Sequence, residues 1–467
     1  MTRSRGSPTV AAMGRRAALV LAITAALAVP VLAAARNGQS PPTWTKDVAP
    51  ILLAKCAGCH TAGGIAPFAL TSARDARVHA RQIDAVVARG QMPPWMPGPD
   101  SPAYVGQSRR ILTQAEKATI AAWVDGGART GTGKAPRRPA APSTSRSRTV
   151  SLRPAHAYAP RAGATDDYRC FLLDPKLARD SWVTGARIVP DRAAQVHHVI
   201  LFEAAGAQAT DAQRLNAASG GRGWTCYGGP GVSLDLSSPN ASLRFGSPQW
   251  LAAWVPGSTR DALPAGRGIR LRAGARIVMQ VHYNLLNGAR PDRSKVVLRL
   301  AATAKPLETM LLAAPVELAC SAGSPGALCT REAALEHLRR DYGSSFLPDA
   351  LLAFCGRAGV TATTTACTRP VQQPLTVYGV AGHMHVRGRD IRVVVDPGSP
   401  AERTLLHIPA WNFHWQDAYE LREPVRVEAG HTLGVRCRFE NATDRYVLWG
   451  EGTADEMCLG VLQVALD

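Results

Sequence analysis

The sequence predicts a multidomain chain, a small all-α domain followed by two mainly antiparallel β-sandwich domains. Three observations carry this. Apolar residues recur at helical spacing between about Trp44 and Thr130. Residues 131–149, GTGKAPRRPAAPSTSRSRT, mix Pro, Ser and Arg without apolar periodicity. Beyond Val150, short runs alternate at period two and are cut by Gly, Pro, Asn and Asp. For 467 residues, a prior of about 150 residues per domain gives roughly three folded units.

The elements follow in order. Arg15 and Arg16 precede an apolar run from Ala17 to about Val31, and small residues at Ala33 to Ala35 come next. This is the layout of a signal peptide over residues 1–35, cleaved after Ala33 or Ala35. The run is about 15 residues, short of the roughly 20 that span a bilayer, so the mature chain is expected to have no stable membrane insertion. The α domain occupies 42–131, and LTQAEKATIAAWVDGGA (112–128) reads as an amphipathic helix stopped by Gly126 and Gly127. A flexible linker covers 132–149. The β texture of HHVILFEA, ARIVMQVHYNLL, LTVYGVAGHMHVRG and GVRCRFEN is too long for a single sandwich, so it divides into 150–304 and 305–467. An insertion at 320–367, helical at REAALEHLRRDYG, carries Cys320, Cys329, Cys355 and Cys367.

The formal net charge is +19. Residues 1–36 carry five arginines and no acid, and residues 132–149 carry Lys134, Arg137, Arg138, Arg146 and Arg148 and no acid. Much of the excess therefore sits in tails, and no nucleic-acid partner is expected. Hydrolase signatures such as a nucleophile elbow, a phosphate loop or H-E-x-x-H do not occur.

CAGCH at 56–60 is the C-x-x-C-H attachment motif for c-type heme. Cys56 and Cys59 lie one helical turn apart, the spacing that lets two thiols add to two vinyl groups, and the imidazole of His60 then falls under the iron. The alternative is a Cys56–Cys59 disulfide beside an unrelated histidine. Heme is favoured in an exported chain with helices on both sides. QMPPWMPGP offers Met92, ahead of Met96, as the soft sixth ligand, presented by a loop stiffened by Pro93 and Pro94. The stretch 44–130 resembles a small class I cytochrome c domain.

Five of the twelve histidines form a second pattern: His197 and His198, His282, and His383 and His385, all in apparent strands. On a strand, residues i and i+2 share a face, so His383 and His385 can converge on one ion while Met384 points away into packing. His197 and His198 cannot share a face of a regular strand; joint ligation needs a bulge or a strand end. Imidazole with thioether favours copper, particularly Cu(I), over zinc. Met457 is a candidate sulfur ligand beside Cys458, and a disulfide to Cys437 would hold its strand in place. His79, His156, His337, His407, His414 and His431 stay unassigned.

The ordered set HH, QVHY, HxHxxG, a Cys strand and DEMC, over about residues 165–467, resembles the copper type II, ascorbate-dependent monooxygenases, the family of peptidylglycine alpha-hydroxylating and dopamine beta-monooxygenases. The resemblance implies two jelly-roll-like sandwiches facing across a solvent-filled cleft, with one copper in each. His197, His198 and His282 would hold an electron-storing copper. His383, His385 and Met457 would hold the copper where O2 binds and an activated C–H bond of a small organic substrate is hydroxylated. Gln280 matches a glutamine that the family places near substrate and the presumed electron route. Ala381, Leu459 and Val461 stand where peptide-amidating relatives clamp a carboxylate, so a neutral or aromatic small molecule is expected instead. Cys170 and Cys226 resemble positions whose family partners are not found here, so a pairing with each other is one option and their connectivity stays open; the four insertion cysteines leave three connectivities open.

The reading is a periplasmic or secreted monooxygenase with two copper ions and one covalently attached heme c, fed by a periplasmic electron donor. The alternative is a non-catalytic heme/copper electron-transfer or copper-binding protein.

Overall fold

The computed structural model describes residues 40–467 except 63–65, 137–147, 162, 238–239, 256–257, 259–260, 287, 322–325 and 359. The expected signal peptide and most of the expected linker lie outside the described residues. The unit Pro42–Asp467 is mainly β-sheet with few helices, and among the described residues no helix is long and apolar enough to cross a membrane.

Helices Ala49–Lys55, Ala73–Val78, Ala80–Ala88 and Gln114–Asp125 enclose a small apolar core around Leu52, Ile120 and Trp123. The last begins with a capping box. Thr113 accepts from the Glu116 amide and the Glu116 side chain accepts from the Thr113 amide, which satisfies two donors that the first turn leaves over. Lys55 pairs with Glu116 at 2.6 Å and ties the first of these helices to the fourth.

Two five-stranded sheets follow. One contains, as neighbours, Asp166–Leu173, Arg276–Asn284, Val196–Ala204 and Trp250–Trp254, and it packs on a second sheet that includes Ser181–Val189 and Lys295–Ala301. Two four-stranded sheets then form the C-terminal part. The first orders Glu308–Ala314, Cys458–Leu466, Leu375–His383 and Ala418–Val427; the second orders Thr364–Pro370, Thr432–Phe439, Gly388–Val395 and Arg403–Ile408. Strand ladders are antiparallel except the short parallel pairing of Lys305–Pro306 with Arg267–Gly268. Val377, Val393, Val435 and Leu462 are fully or almost fully buried between the C-terminal sheets, as period-two alternation requires.

Four disulfides form: Cys170–Cys226, Cys320–Cys329, Cys355–Cys367 and Cys437–Cys458. The insertion holds the expected helix at Arg331–Tyr342 and a further one at Phe346–Cys355.

The helical part is fastened to the C-terminal sheets through the segment 94–110. Tyr104 is part of their core and donates its hydroxyl to the Leu405 carbonyl at 2.8 Å. Gly98 and Ser101 bond the His407 carbonyl, and Asp100 pairs with His407 and Arg392.

Candidate metal centre

His198 and His282 stand directly opposite each other on neighbouring strands, and the register shifts between Val196 and His198. That bulge breaks the alternation, so both members of the adjacent pair can reach the same side. The nearest ligand atoms of His197, His198 and His282 all lie within 4.8 Å of one another. His282 is oriented from behind: its Nε2 meets Asp166 Oδ1 at 2.7 Å, and Thr453 donates to the same oxygen at 2.6 Å. Tyr168 stacks on the ring, centroids 4.2 Å apart. The other ring nitrogen of His282, Nδ1, lies within hydrogen-bond distance of His198 Nδ1 at 3.4 Å.

These residues suit a metal ion. His197 Nδ1 is buried with no hydrogen-bond partner, an arrangement that costs about 1–3 kcal/mol unless something occupies the lone pair. Burial pushes the imidazole of His197 down to about 4 and holds His198 and His282 well below the ordinary histidine value. All three are therefore neutral at pH 7, the form that binds a metal.

The second set sits where Leu375–His383 turns into Gly388–Val395. His383 ends its strand and His385 lies beyond it, so the expectation that both occupy a strand holds only for the first. Their rings nevertheless approach to 5.1 Å. Met384 does point away: it is fully buried against Gly388 and Trp411. His383 Nδ1 meets Gln416 Oε1 at 2.6 Å and His385 Nδ1 meets the Asp455 carbonyl at 3.2 Å, which leaves both Nε2 atoms for a ligand. Burial again lowers both imidazoles.

Met457 is buried immediately before the strand Cys458–Leu466, whose Leu459 stands opposite His383. Two features hold it there. The Cys437–Cys458 disulfide fastens its strand to the facing sheet. The Glu456 carboxylate accepts from the amides of His385, Arg387 and Met457, clamping the histidine turn to the methionine segment. Burial raises that carboxyl to about 7 despite the three donors.

The two sets are close neighbours, which differs from the expected solvent-filled cleft between them. His198 and His383 have ring centroids 6.3 Å apart. Phe413 stacks on His197 at 4.6 Å and meets the edge of His385 at 5.9 Å. An aromatic side chain thus fills space between the sandwiches that the resemblance assigns to water.

Gln280 is fully buried two residues before His282; its amide donates to the Gly229 carbonyl and to Glu451 at 3.3 and 3.4 Å, and its Oε1 has no partner. Glu451, raised to about 7 by burial, has its own backbone held by the hydroxyls of Tyr168 and Tyr227. Ala381 stands opposite Val461, next to the His383–Leu459 pair, so the three substituted clamp positions form an apolar patch at the second set.

In the helical part, His60 Nδ1 lies 3.0 Å from the Phe68 carbonyl, which orients the ring and leaves Nε2 available. Cys56 and Cys59 lie partly buried just beyond the Ala49–Lys55 helix, and burial raises the Cys56 thiol to about 12. The two methionine candidates separate. Met96 packs against the C-terminal core, whereas Met92 follows the Ala80–Ala88 helix with its amide on the Val86 carbonyl.

Residues 355–463 match the model of the copper type II ascorbate-dependent monooxygenase, C-terminal domain. The matched stretch contains His383, His385, Met457 and the Cys437–Cys458 bridge, and it supports copper-dependent monooxygenase chemistry in general. No curated protein matches the chain. Among solved structures, the coconut allergen cocosin is similar at 12% identity over 68% of this chain and 87% of that one, with a TM-score of 0.12. The infectious bursal disease virus VP2 subviral particle is similar at 8% identity over 69% and 80%, with a TM-score of 0.15.

Sequence reasoning missed Asp166, Gln416, Phe413 and Glu451. Asp166 is 116 residues from His282 and Gln416 is 33 from His383, so no local motif links them. Glu456 was visible inside DEMC, but only the fold shows that its carboxylate turns back onto the H-x-H segment.

Proposed function

We propose that this chain is an exported copper-dependent monooxygenase that hydroxylates an activated C–H bond of a small, neutral or aromatic substrate, with electrons delivered through a fused c-type heme. In this reading 1–35 is a signal peptide, 42–131 the heme domain, 132–149 a linker, and 150–304 and 305–467 the two copper-holding sandwiches. What supports it is the His197–His198–His282 cluster, the 6.3 Å approach of His198 to His383, and the presence of His383, His385 and Met457 inside the stretch that matches the family.

Bound copper at the two sets would supply the two electrons with which one atom of O2 enters a C–H bond and the other leaves as water. The chain's own residues set the conditions. Asp166, Gln416 and the Asp455 carbonyl orient His282, His383 and His385, so each offers one defined nitrogen. Phe413 excludes water between the sets. Ala381, Leu459 and Val461 give the substrate an apolar surface beside His383, and Gln280 with Glu451 supplies the polar groups at the other side. In the helical part, Cys56 and Cys59 would attach the heme, with His60 and Met92 as its axial ligands. The four disulfides support an oxidising compartment, periplasmic or extracellular.

The test is oxygen uptake by purified, copper-loaded protein against phenethyl, alkyl and amide compounds, with His385→Ala as control. Substrate-dependent uptake lost in the variant is expected. Copper binding without uptake on any compound would favour the electron-transfer alternative.

A further inference from the structure

We infer that electrons enter the copper pair at the second set, along a bonded path from the Met92 loop through Arg110, Asp417 and Gln416 to His383. The inference rests on the heme reading above; the path itself is read from contacts.

Two residues after Met92, the Pro94 carbonyl accepts from Arg110 Nη2 at 3.0 Å. Nη1 of the same guanidinium donates to the Asp417 carboxylate. The next residue back, Gln416, holds His383 Nδ1 through its Oε1 at 2.6 Å, and its amide is fixed by donation to the Phe413 carbonyl at 2.9 Å. Every link from Met92 to the ligand imidazole is a covalent bond or a hydrogen bond. An aromatic route runs alongside. Trp95 meets Tyr419 edge-on at 5.4 Å and Tyr104 at 6.0 Å, and Tyr419 stands opposite Val380, three residues before His383.

The arrangement is built for permanence. Asp417 is almost fully buried and Arg110 largely so, a pairing that is costly to break once formed. Tyr104, Ser101 and Asp100 hold the same segment to the same sheets. A domain that docked only transiently would not bury a tyrosine in its partner's core. The anchors all fall on the C-terminal sandwich, whereas the resemblance gives the electron-storing role to the copper of the other one.

With Cys56, Cys59, His60 and Met92 holding a heme and His383, His385 and Met457 holding a copper, one electron would pass from ferrous iron to cupric copper, leaving ferric iron and cuprous copper, and no proton or atom would move along the path. The 6.3 Å approach of His198 to His383 then connects the first set to the second.

Flash reduction of the heme in the full-length, copper(II)-loaded protein tests this, following decay of the ferrous heme band and loss of the cupric EPR signal. Arg110→Lys cannot bridge Pro94 and Asp417 together, and the double variant Arg110→Met with Asp417→Leu removes both charges, so neither leaves an unpaired buried carboxylate. In both, decay slows by an order of magnitude or more with heme spectrum and copper content unchanged; in His383→Ala the fast decay disappears. Wild-type rates in both Arg110 variants, or fast decay that survives His383→Ala, overturn the path alone. A purified protein without a heme band overturns the heme reading and the path with it.

Discussion

At the first histidine set the rear of His282 is held by a carboxylate, Asp166; at the second, His383 and His385 are held by a side-chain amide and a backbone carbonyl. A carboxylate behind an imidazole raises its basicity and favours the harder, cupric ion, whereas neutral anchors beside a thioether favour the cuprous one. The supports differ as well. The first set depends on a bulge within one sheet. The second depends on a disulfide and on Glu456, which together bring a strand end and a turn to the same place. In the proposed reading, two sites of equal ligand count would be tuned apart by what stands behind the ligands.

Substitutions can break that comparison. The largest effect is expected from the ligands themselves. His282→Ala and His385→Ala should each halve the copper content on metal analysis, and combining them should abolish it; full loading of either single variant would remove that residue from the centre. Asp166→Asn should weaken copper at the first set by roughly 10–100-fold and leave the second untouched, measured by competition with a chelator of known affinity. A matching loss at both sets would mean that the two are not independently supported.

Replacing both Cys437 and Cys458 by Ser should cost about 2–4 kcal/mol of stability in thermal or denaturant unfolding, with the accompanying copper loss confined to the second set. Acidification sharpens the comparison differently. Because His197 is held at about 4 against an ordinary 6.5, the unfolded chain binds more protons than the folded one between those values. Stability of the copper-free protein should therefore be fully present above about pH 6.5 and fall as pH drops toward 4, by up to about 3 kcal/mol from this group. A denaturation midpoint that is flat across that window would contradict the buried, neutral state. The smallest effect belongs to Met384→Leu. As a volume-conserving core change it should cost less than about 1.5 kcal/mol and leave copper content unchanged; lost copper would make Met384 a ligand after all.

Much of this centre was legible before folding because its clues are local. The spacing in VAGHMHVRG already suggests that His383 and His385 separate from Met384, although the strand ends at His383, and the adjacency of His197 and His198 already demands a break in alternation, which the structure supplies between Val196 and His198. The capped helix Gln114–Asp125 is legible for the same reason, since Thr113, Glu116 and Gly126 lie within its own span. What stayed hidden is what distance in sequence hides. Asp166 behind His282, Gln416 behind His383 and Phe413 between the sets belong to segments that meet only when sheets pair and sandwiches pack. The docking of Trp95, Tyr104 and Arg110 was hidden for another reason: a Pro-rich loop reads as exposed, and nothing in its composition reveals a partner surface.

The sequence alone therefore determined the candidate ligand types, their order and the β texture that carries most of them, because periodicity, cysteine spacing and imidazole pairs act over a few residues. Only the tertiary structure decided how near the two sets stand, which group orients each ring, and that the helical part is fastened to the second sandwich. Those are long-range contacts, selected by burial and pairing across the whole chain, and no short stretch contains them.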